Sequence, residues 1–284
     1  MSVASAAEPA FRHILLATDG SEFSEGANRL AIDLARRSGA KLTAMTMVLF
    51  SEDLEVVGTH NLRASLEEEA NGTLNAVAGQ ASQQGVSCEL TLRFGDDPHR
   101  AIVGAAEDVG ADLIVMGRRG KRGLARSMVG DATAKVIGAA HCAVLVAPRL
   151  ARMWQKCIIL ATDGSAFAEA ATAVVARVAA QGNVPVAVVS AVLDSFSDSR
   201  LREADAAVAR AKDVLAQAGV TAQTMIVRAR PDDAIIGTAQ QTEAELIVTG
   251  THGRTGLGRF ILGSVTERVI SGAQCAVLAV KPAR

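Results

Sequence analysis

Short apolar runs alternate with longer amphipathic stretches along the whole chain, and this alternation predicts the architecture. The apolar runs are rich in Val, Ile and Leu, which is typical of parallel strands covered on both faces. They predict strands near residues 13–19, 41–49, 87–94, 111–117, 142–147, 157–163, 184–192, 222–228, 245–250 and 275–280. The amphipathic stretches predict helices near residues 23–38, 63–84, 98–109, 131–139, 167–181, 198–218, 232–243 and 264–272.

The pattern occurs twice. The run from Ile14 to Ser21 recurs almost unchanged from Ile158 to Ser165, and later segments also match between the two halves. The first copy is longer, and we place its extra residues near 51–63. A long period that is repeated once indicates two tandem domains rather than a solenoid. We predict one domain over residues 1–149 and a second over residues 150–284.

Strand–helix alternation predicts that each half is an α/β fold with an open, five-stranded parallel sheet between helices, a Rossmann-like sandwich. With the strand order 3-2-1-4-5, the order reverses between strands one and four. Ligands of such sheets bind at this reversal, beyond the carboxyl ends of the strands. In the second half, these two strands end in Thr162-Asp163-Gly164-Ser165 and in the glycine-rich segment that begins at Gly250. The topology therefore predicts that both segments meet at one crevice.

The glycine-rich segment has the features of a phosphate-binding loop. Glycine allows the backbone to approach a ligand closely, and free N–H groups at a helix N-terminus bind phosphate. Ser264 and Glu267 fit a capping box at the start of the last helix. The alternative is that the glycines only end the strand and that Ser264 only caps the helix. The expected phosphate contacts are Gly250, Gly253, Gly263, Ser264 and the amide of Val265, with positive charge from Arg254 and Arg259 and with His252 over the ligand.

Asp163 has two possible roles at the end of the first strand of the second half. Its carboxylate could accept hydrogen bonds from a ribose hydroxyl, or hold a Mg²⁺ that bridges phosphates. It could also cap the helix that begins near Phe167. Helix capping explains the tetrapeptide equally well in both halves, so the residues alone leave the two roles open.

The spacing G-x2-G-x9-G-[S/T] from Gly250 to Ser264, together with Ala161 to Ser165, resembles the universal stress protein family over nearly the whole chain, in two copies. The resemblance implies the ATP-binding branch, with ATP bound with or without Mg²⁺ and hydrolysed slowly at most. It implies a stress-response regulator or sensor whose halves pair through strand five within one chain; a further homodimer and a protein partner stay open. Two alternatives are a nucleotide-independent protein-interaction module and an adenine-nucleotide hydrolase or transferase.

The resemblance also implies roles for individual residues. Asp163 would contact ribose or phosphate-bound metal, Ala191 and Thr249 would flank adenine, and the loop would hold ribose and phosphates. The complete candidate set is Thr162, Asp163, Ala191, Thr249, Gly250, His252, Gly253, Arg254, Gly263, Ser264 and Val265.

The first half departs from the pattern at one position. It keeps Gly117, Gly120 and Gly130 but has Asp131 where the second half has Ser264. Asp131 is still a good N-cap, but it adds a negative charge where a phosphate would lie. The neighbouring basic residues could offset this charge or could pair with Asp131 and close the site; they are Arg118, Arg119, Lys121, Arg122 and Arg126. We expect the first site to be weak or empty.

Composition excludes several other classes of function. The formal net charge of −1 gives no bulk attraction to nucleic acid or to a membrane surface. No apolar run reaches the length of a membrane span, and the first nine residues lack the features of a signal peptide, so we expect a cytoplasmic protein. The four cysteines lie in strand-like runs without a CxxC motif, which predicts buried free thiols and no metal. No catalytic motif is present, and we assign no catalytic residue.

Overall fold

The fold is that of a computed structural model, which describes residues 9–49, 60–120, 130–254 and 262–282 and has ten strands and eight α-helices within those ranges. The strands are β1 (His13–Ala17), β2 (Lys41–Leu49), β3 (Cys88–Gly95), β4 (Leu113–Gly117), β5 (Ala143–Ala147), β6 (Ile158–Ala161), β7 (Val186–Val192), β8 (Ala222–Arg228), β9 (Leu246–Gly250) and β10 (Ala276–Val280). The helices are α1 (Glu25–Ser38), α2 (His60–Gln83), α3 (Pro98–Asp108), α4 (Asp131–Ala139), α5 (Ala166–Gly182), α6 (Asp198–Gln217), α7 (Pro231–Gln241) and α8 (Ser264–Gly272). The predicted alternation is confirmed, while most of the extra segment near 51–63 lies outside the described residues.

All ten strands belong to one sheet, in the order β3-β2-β1-β4-β5-β10-β9-β6-β7-β8. Within each half the neighbouring strands are parallel and follow the order 3-2-1-4-5, which confirms the predicted topology. The halves join where β10 pairs antiparallel with β5, with Leu278 opposite Leu145. The predicted pairing through the fifth strand of each half is therefore confirmed.

Both faces of the inner strands are buried, which explains why these strands lack polar alternation. Along β1, Ile14 and Leu16 belong to the apolar cluster on one face, Leu15 belongs to the cluster on the other face, and all three side chains are fully buried. Each cluster contains residues of both halves, so the core is continuous through the β5–β10 pairing. Helices on both faces fix the carboxyl ends of the strands in space.

The segment between β5 and β6 is packed against the protein rather than a free tether. Trp154 and Ala151 are buried, and Arg29 of α1 donates from Nη1 to the carbonyl oxygen of Ala151 at 2.6 Å. The backbone of this segment contacts α1 at Gly26, where an added Cβ would lie 2.0 Å from the carbonyl oxygen of Pro148. Only glycine permits this approach, so the connection between the halves is part of the core.

Two cations cross from one half to the other and contact helix C-termini. Lys281, which follows β10, donates from Nζ to the carbonyl oxygens of Gly138 at 2.6 Å and Ala140 at 2.9 Å, at the end of α4. Arg118, which follows β4, donates from Nη1 to the carbonyl oxygens of Ser271 at 3.1 Å and Ala273 at 3.0 Å, at the end of α8. Positive charge is favourable there because the last carbonyl groups of a helix lack intrahelical partners.

The cysteines agree only in part with the prediction. All four are free, but each is half-buried rather than fully buried. Burial raises the pKa of Cys142 to about 12 and that of Cys275 to about 11, so both stay protonated thiols at neutral pH. Within the described ranges no group of His, Cys, Asp and Glu side chains forms a metal cluster, and no helix there is long and apolar enough to cross a membrane.

We predict that Trp154→Ala lowers the free energy of unfolding by about 3–5 kcal/mol, because it removes a buried aromatic side chain from the core. Urea unfolding followed by far-ultraviolet circular dichroism measures the change. The control is Leu150→Ala in the same segment, whose side chain is 80% exposed and whose loss should change little. Equal effects of the two substitutions would show that the segment is not held in place by the indole.

Candidate functional site

A cavity of about 440 Å³ lies beyond the carboxyl ends of β6, β7 and β9. Its walls come from the ends of these strands, from the loop after β9, and from the beginnings of α6, α7 and α8. All of the candidate residues line it, namely Thr162, Asp163, Ala191, Thr249, Gly250, His252, Gly253, Arg254, Gly263, Ser264 and Val265. The structure thus brings the whole set to one cavity, while its role in binding a nucleotide stays a prediction.

Close packing requires glycine at two of the three spaced glycine positions of this loop, Gly250 and Gly263, and it also leaves little room at Gly253. An added Cβ would lie 2.6 Å from Cβ of Phe167 at Gly250, and 2.8 Å from the carbonyl oxygen of Thr251 at Gly263. At Gly253 it would lie 2.7 Å from Oδ2 of Asp163. A real side chain would displace its neighbours at such distances. The glycines therefore shape the loop whether or not a ligand is bound.

Asp163 joins the two loops that form the crevice. Its Oδ2 accepts a hydrogen bond from the backbone N–H of Arg254 at 3.0 Å, and its Oδ1 accepts one from the N–H of Ser165 at 3.0 Å. The alternative role as helix cap is wrong, because Ser165 is the N-cap of α5 and its Oγ accepts from the N–H of Ala168 at 3.3 Å. A carboxylate offers about four acceptor positions, so Asp163 keeps capacity for a ligand hydroxyl.

The N-terminus of α8 lines the cavity without a side-chain cap. Gly263 is the N-cap, and Ser264 is the first helical residue. The predicted capping box is therefore wrong, because the Ser264 hydroxyl lies one position inside the helix. Thr266 Oγ1 donates to the carbonyl oxygen of Gly250 at 2.8 Å and holds the first turn against the end of β9. An uncapped first turn leaves backbone N–H groups that can bind an anion.

His252 forms part of the cavity wall. Its Nδ1 lies 3.1 Å from Oγ1 of Thr251, and its ring lies 5.1 Å from the ring of Phe167. Its Nε2 is buried and has no hydrogen-bond partner among the described residues. A buried polar atom without a partner is costly, so a ligand that reaches this nitrogen would remove the cost.

Arg254 is already engaged within the protein. Its Nε donates to the carbonyl oxygen of Asp163 at 2.7 Å, and its Nη1 forms an ion pair with Glu203 of α6. The hydrogen bond from Arg254 lowers the pKa of Glu203, which stays ionised at neutral pH. The positive charge of Arg254, which was expected to attract phosphate, is therefore partly neutralised by the carboxylate of Glu203. The other expected cation, Arg259, lies outside the described residues.

The sequence analysis missed several cavity residues. Phe196 follows β7 closely, so the rule that ligands bind beyond strand ends could have found it. The others depend on how α6, α7 and the end of the loop pack, which no local motif reports. The missed residues include Phe196, Arg200, Ala204, Pro231, Ile235 and Leu262.

The equivalent loop of the first half has a different charge arrangement from the one expected. Gly130 is the N-cap of α4, so the prediction that Asp131 caps this helix is wrong by one position. The Asp131 side chain is 80% exposed and pairs with Lys135 at 2.7 Å. Arg118 does not pair with it, since Arg118 extends to the end of α8. Lys121, Arg122 and Arg126 lie outside the described residues.

The first half also differs at the positions expected to flank adenine. By strand register, Met47 of β2 is equivalent to Ala191 of β7, and Met116 of β4 is equivalent to Thr249 of β9. Methionine is longer and larger than alanine or threonine, and Met116 is 6% exposed. The two halves therefore share their glycines but differ in the bulk of these strand ends.

Comparison with known proteins also finds two copies of one domain in the chain. The family model described as Universal stress protein family matches residues 10–148 and again residues 155–281. The universal stress protein MJ0531 of Methanocaldococcus jannaschii is 37% identical over 142 residues, which cover 49% of this chain and 83% of that protein.

A solved structure that covers nearly the whole chain gives the same result for the fold. A universal stress protein from Archaeoglobus fulgidus DSM 4304 covers 95% of this chain and 98% of its own, with 21% identity and a TM-score of 0.76. A universal stress protein in complex with cAMP covers 46% of this chain and 99% of its own, with 26% identity and a TM-score of 0.38. On the two family matches, which together span most of its length, the chain belongs to the universal stress protein family and carries two copies of the family domain in tandem.

Proposed function

We propose that the second half binds one molecule of ATP per chain and that the protein acts as a nucleotide-dependent regulator or sensor in stress responses. The observation that carries this proposal is the convergence of Asp163, the glycine loop and the uncapped first turn of α8 on one cavity. Its volume of about 440 Å³ lies within the range of small-molecule sites.

The chemistry of the cavity favours one orientation of the nucleotide. Ala191 and Thr249 offer small side chains at the strand ends, where a flat base fits. The N–H groups at the start of α8 suit the phosphates, and Asp163 can accept a hydrogen bond from a ribose hydroxyl. Mg²⁺ carried by the phosphates would find an oxygen ligand in the same carboxylate.

Hydrolysis in this arrangement should be slow at most. Efficient phosphoryl transfer needs a residue that orients the attacking water. Both oxygens of Asp163 already accept backbone hydrogen bonds, so this carboxylate is poorly placed as a general base. Fast turnover that is abolished by Asp163→Ala would instead favour a hydrolase or transferase of the same fold.

A second candidate function, a nucleotide-independent interaction module, draws support from the edge of the sheet. The outer strand β3 carries Leu90 and Phe94, whose side chains are each 41% exposed. An edge strand with apolar side chains can pair with another chain. The two functions differ in their response to ATP.

We predict that Ser264→Asp weakens ATP binding at least about tenfold, because a carboxylate at the first turn of α8 repels phosphate and removes the local preference for an anion. Isothermal titration of the full chain measures the dissociation constant and a stoichiometry near one. The matched control is the reverse exchange, Asp131→Ser. It should leave both values unchanged, because Met47 and Met116 still occupy the base positions of the first half. If Asp131→Ser abolished ATP binding and Ser264→Asp left it unchanged, the nucleotide site would lie in the first half and the proposal would be wrong.

We also predict that ATP raises the melting temperature of the protein. A ligand that binds only the folded state stabilises it by about 2.7 kcal/mol at a concentration of 100 times its dissociation constant. Differential scanning calorimetry measures the shift, and Ser264→Asp should show a smaller shift at the same ATP concentration. An unshifted melting temperature in saturating ATP would favour the interaction module.

A further inference from the structure

One wall of the cavity comes from the segment between β7 and α6 and from the first turns of α6. Phe196, Arg200 and Ala204 all line the cavity. Residues four positions apart lie on the same face of a helix, so Arg200 and Ala204 face the cavity together. The aromatic ring of this wall is that of Phe196, which lies between β7 and α6.

The wall is ordered by contacts within the protein. The N–H of Phe196 donates to the carbonyl oxygen of Leu193 at 3.0 Å, which closes a turn after β7. Ser197 is the N-cap of α6, and its Oγ accepts from the N–H of Arg200 at 3.4 Å. The guanidinium carbon of Arg200 lies 4.7 Å from the centre of the Phe196 ring. Contacts within the protein therefore hold an aromatic plane and a guanidinium together at the cavity.

The sheet order places this wall on the opposite side of the cavity from the uncapped helix. β6 lies between β7 and β9. Phe196 follows β7, whereas the loop that leads to α8 follows β9. Neighbouring strands are about 4.8 Å apart, so the two sides are separated by roughly 10 Å, which suits the distance from a base to its phosphates. The ion pair between Glu203 and Arg254 ties α6 to the glycine loop across this space.

We propose that Phe196 and Arg200 form a stacking surface for the adenine base and thereby make the site prefer a nucleotide over free polyphosphate. The inference rests on the proposed binding of ATP in the second half. Aromatic rings and guanidinium groups stack on the faces of bases, and the ring of Phe196 already has one face toward a cation. Phe196 is then a positioning residue for the base, while α8 and Asp163 hold the rest of the ligand.

A different role for Arg200 makes a different prediction. If its guanidinium neutralised phosphate, its removal would weaken the binding of ATP and of inorganic tripolyphosphate alike. If it stacks with Phe196 on the base, the loss is confined to ATP. The comparison of these two ligands therefore separates stacking from charge.

The test uses Phe196→Leu, which keeps an apolar side chain but removes the aromatic face. Isothermal titration of the full chain gives the dissociation constant of ATP, and competition against ATP gives the inhibition constant of tripolyphosphate. We expect Phe196→Leu to weaken ATP binding about tenfold and to leave tripolyphosphate unchanged, because one base–aromatic stack is lost. Phe196→Trp, which restores an aromatic face, should bind ATP about as well as the unsubstituted protein does.

The matched control is Phe94→Leu on β3. An arginine also stacks on the ring of Phe94, since the guanidinium carbon of Arg63 lies 5.0 Å from the ring centre. Phe94 lies in the first half, however, and does not line the cavity. Phe94→Leu should change neither constant.

Two results would overturn the inference while the proposed function stands. One is an unchanged affinity for ATP in Phe196→Leu, and the other is an equal loss of affinity for ATP and tripolyphosphate. Absence of ATP binding by the unsubstituted chain would instead overturn the proposed function, and the stacking surface with it.

Discussion

The antiparallel pairing of β5 with β10 is the interaction on which the whole arrangement depends. Each half alone would end in an unpaired strand beside β4 or β9, and such an edge exposes a row of backbone N–H and C=O groups. Pairing the two edges satisfies these groups and makes one sheet of ten strands. Because the two strands run in opposite directions, the carboxyl ends of the two parallel sets point to opposite ends of the sheet. The two crevices therefore open away from each other.

This polarity explains why the halves interact through helix ends as well as through strands. The C-terminus of each short helix, α4 and α8, lies where the loop or strand end of the other half passes. Lys281 and Arg118 use this proximity to donate to the last carbonyl groups. The N-terminus of α8 lines the cavity, so one helix spans the distance from the proposed phosphate position to the first half. Arg118 and Lys281, which each follow a strand of one half, thus contribute to the packing of the other half.

The sequence predicted the strands because burial on both faces selects continuous runs of Val, Ile and Leu, and it predicted their order because such strands alternate with helices. It predicted which residues line one cavity, because the topology of parallel sheets brings two strand ends together. It failed where long-range contacts decide the role of a side chain. Ser264 and Asp131 lie one position inside their helices because the extended glycine before each takes the N-cap position. Asp163 is paired with a backbone group 91 residues away, which no local pattern could indicate.

The buried indole of the connecting segment has an optical consequence. Trp154 is the single tryptophan of the chain, and it is 2% exposed in the segment that connects the two halves. Intrinsic fluorescence excited at the long-wavelength edge of protein absorption therefore comes from this one indole. Any event that loosened one half from the other would admit water to that place and move the emission to longer wavelength. The protein carries its own reporter of how tightly its halves are held together, without an added label.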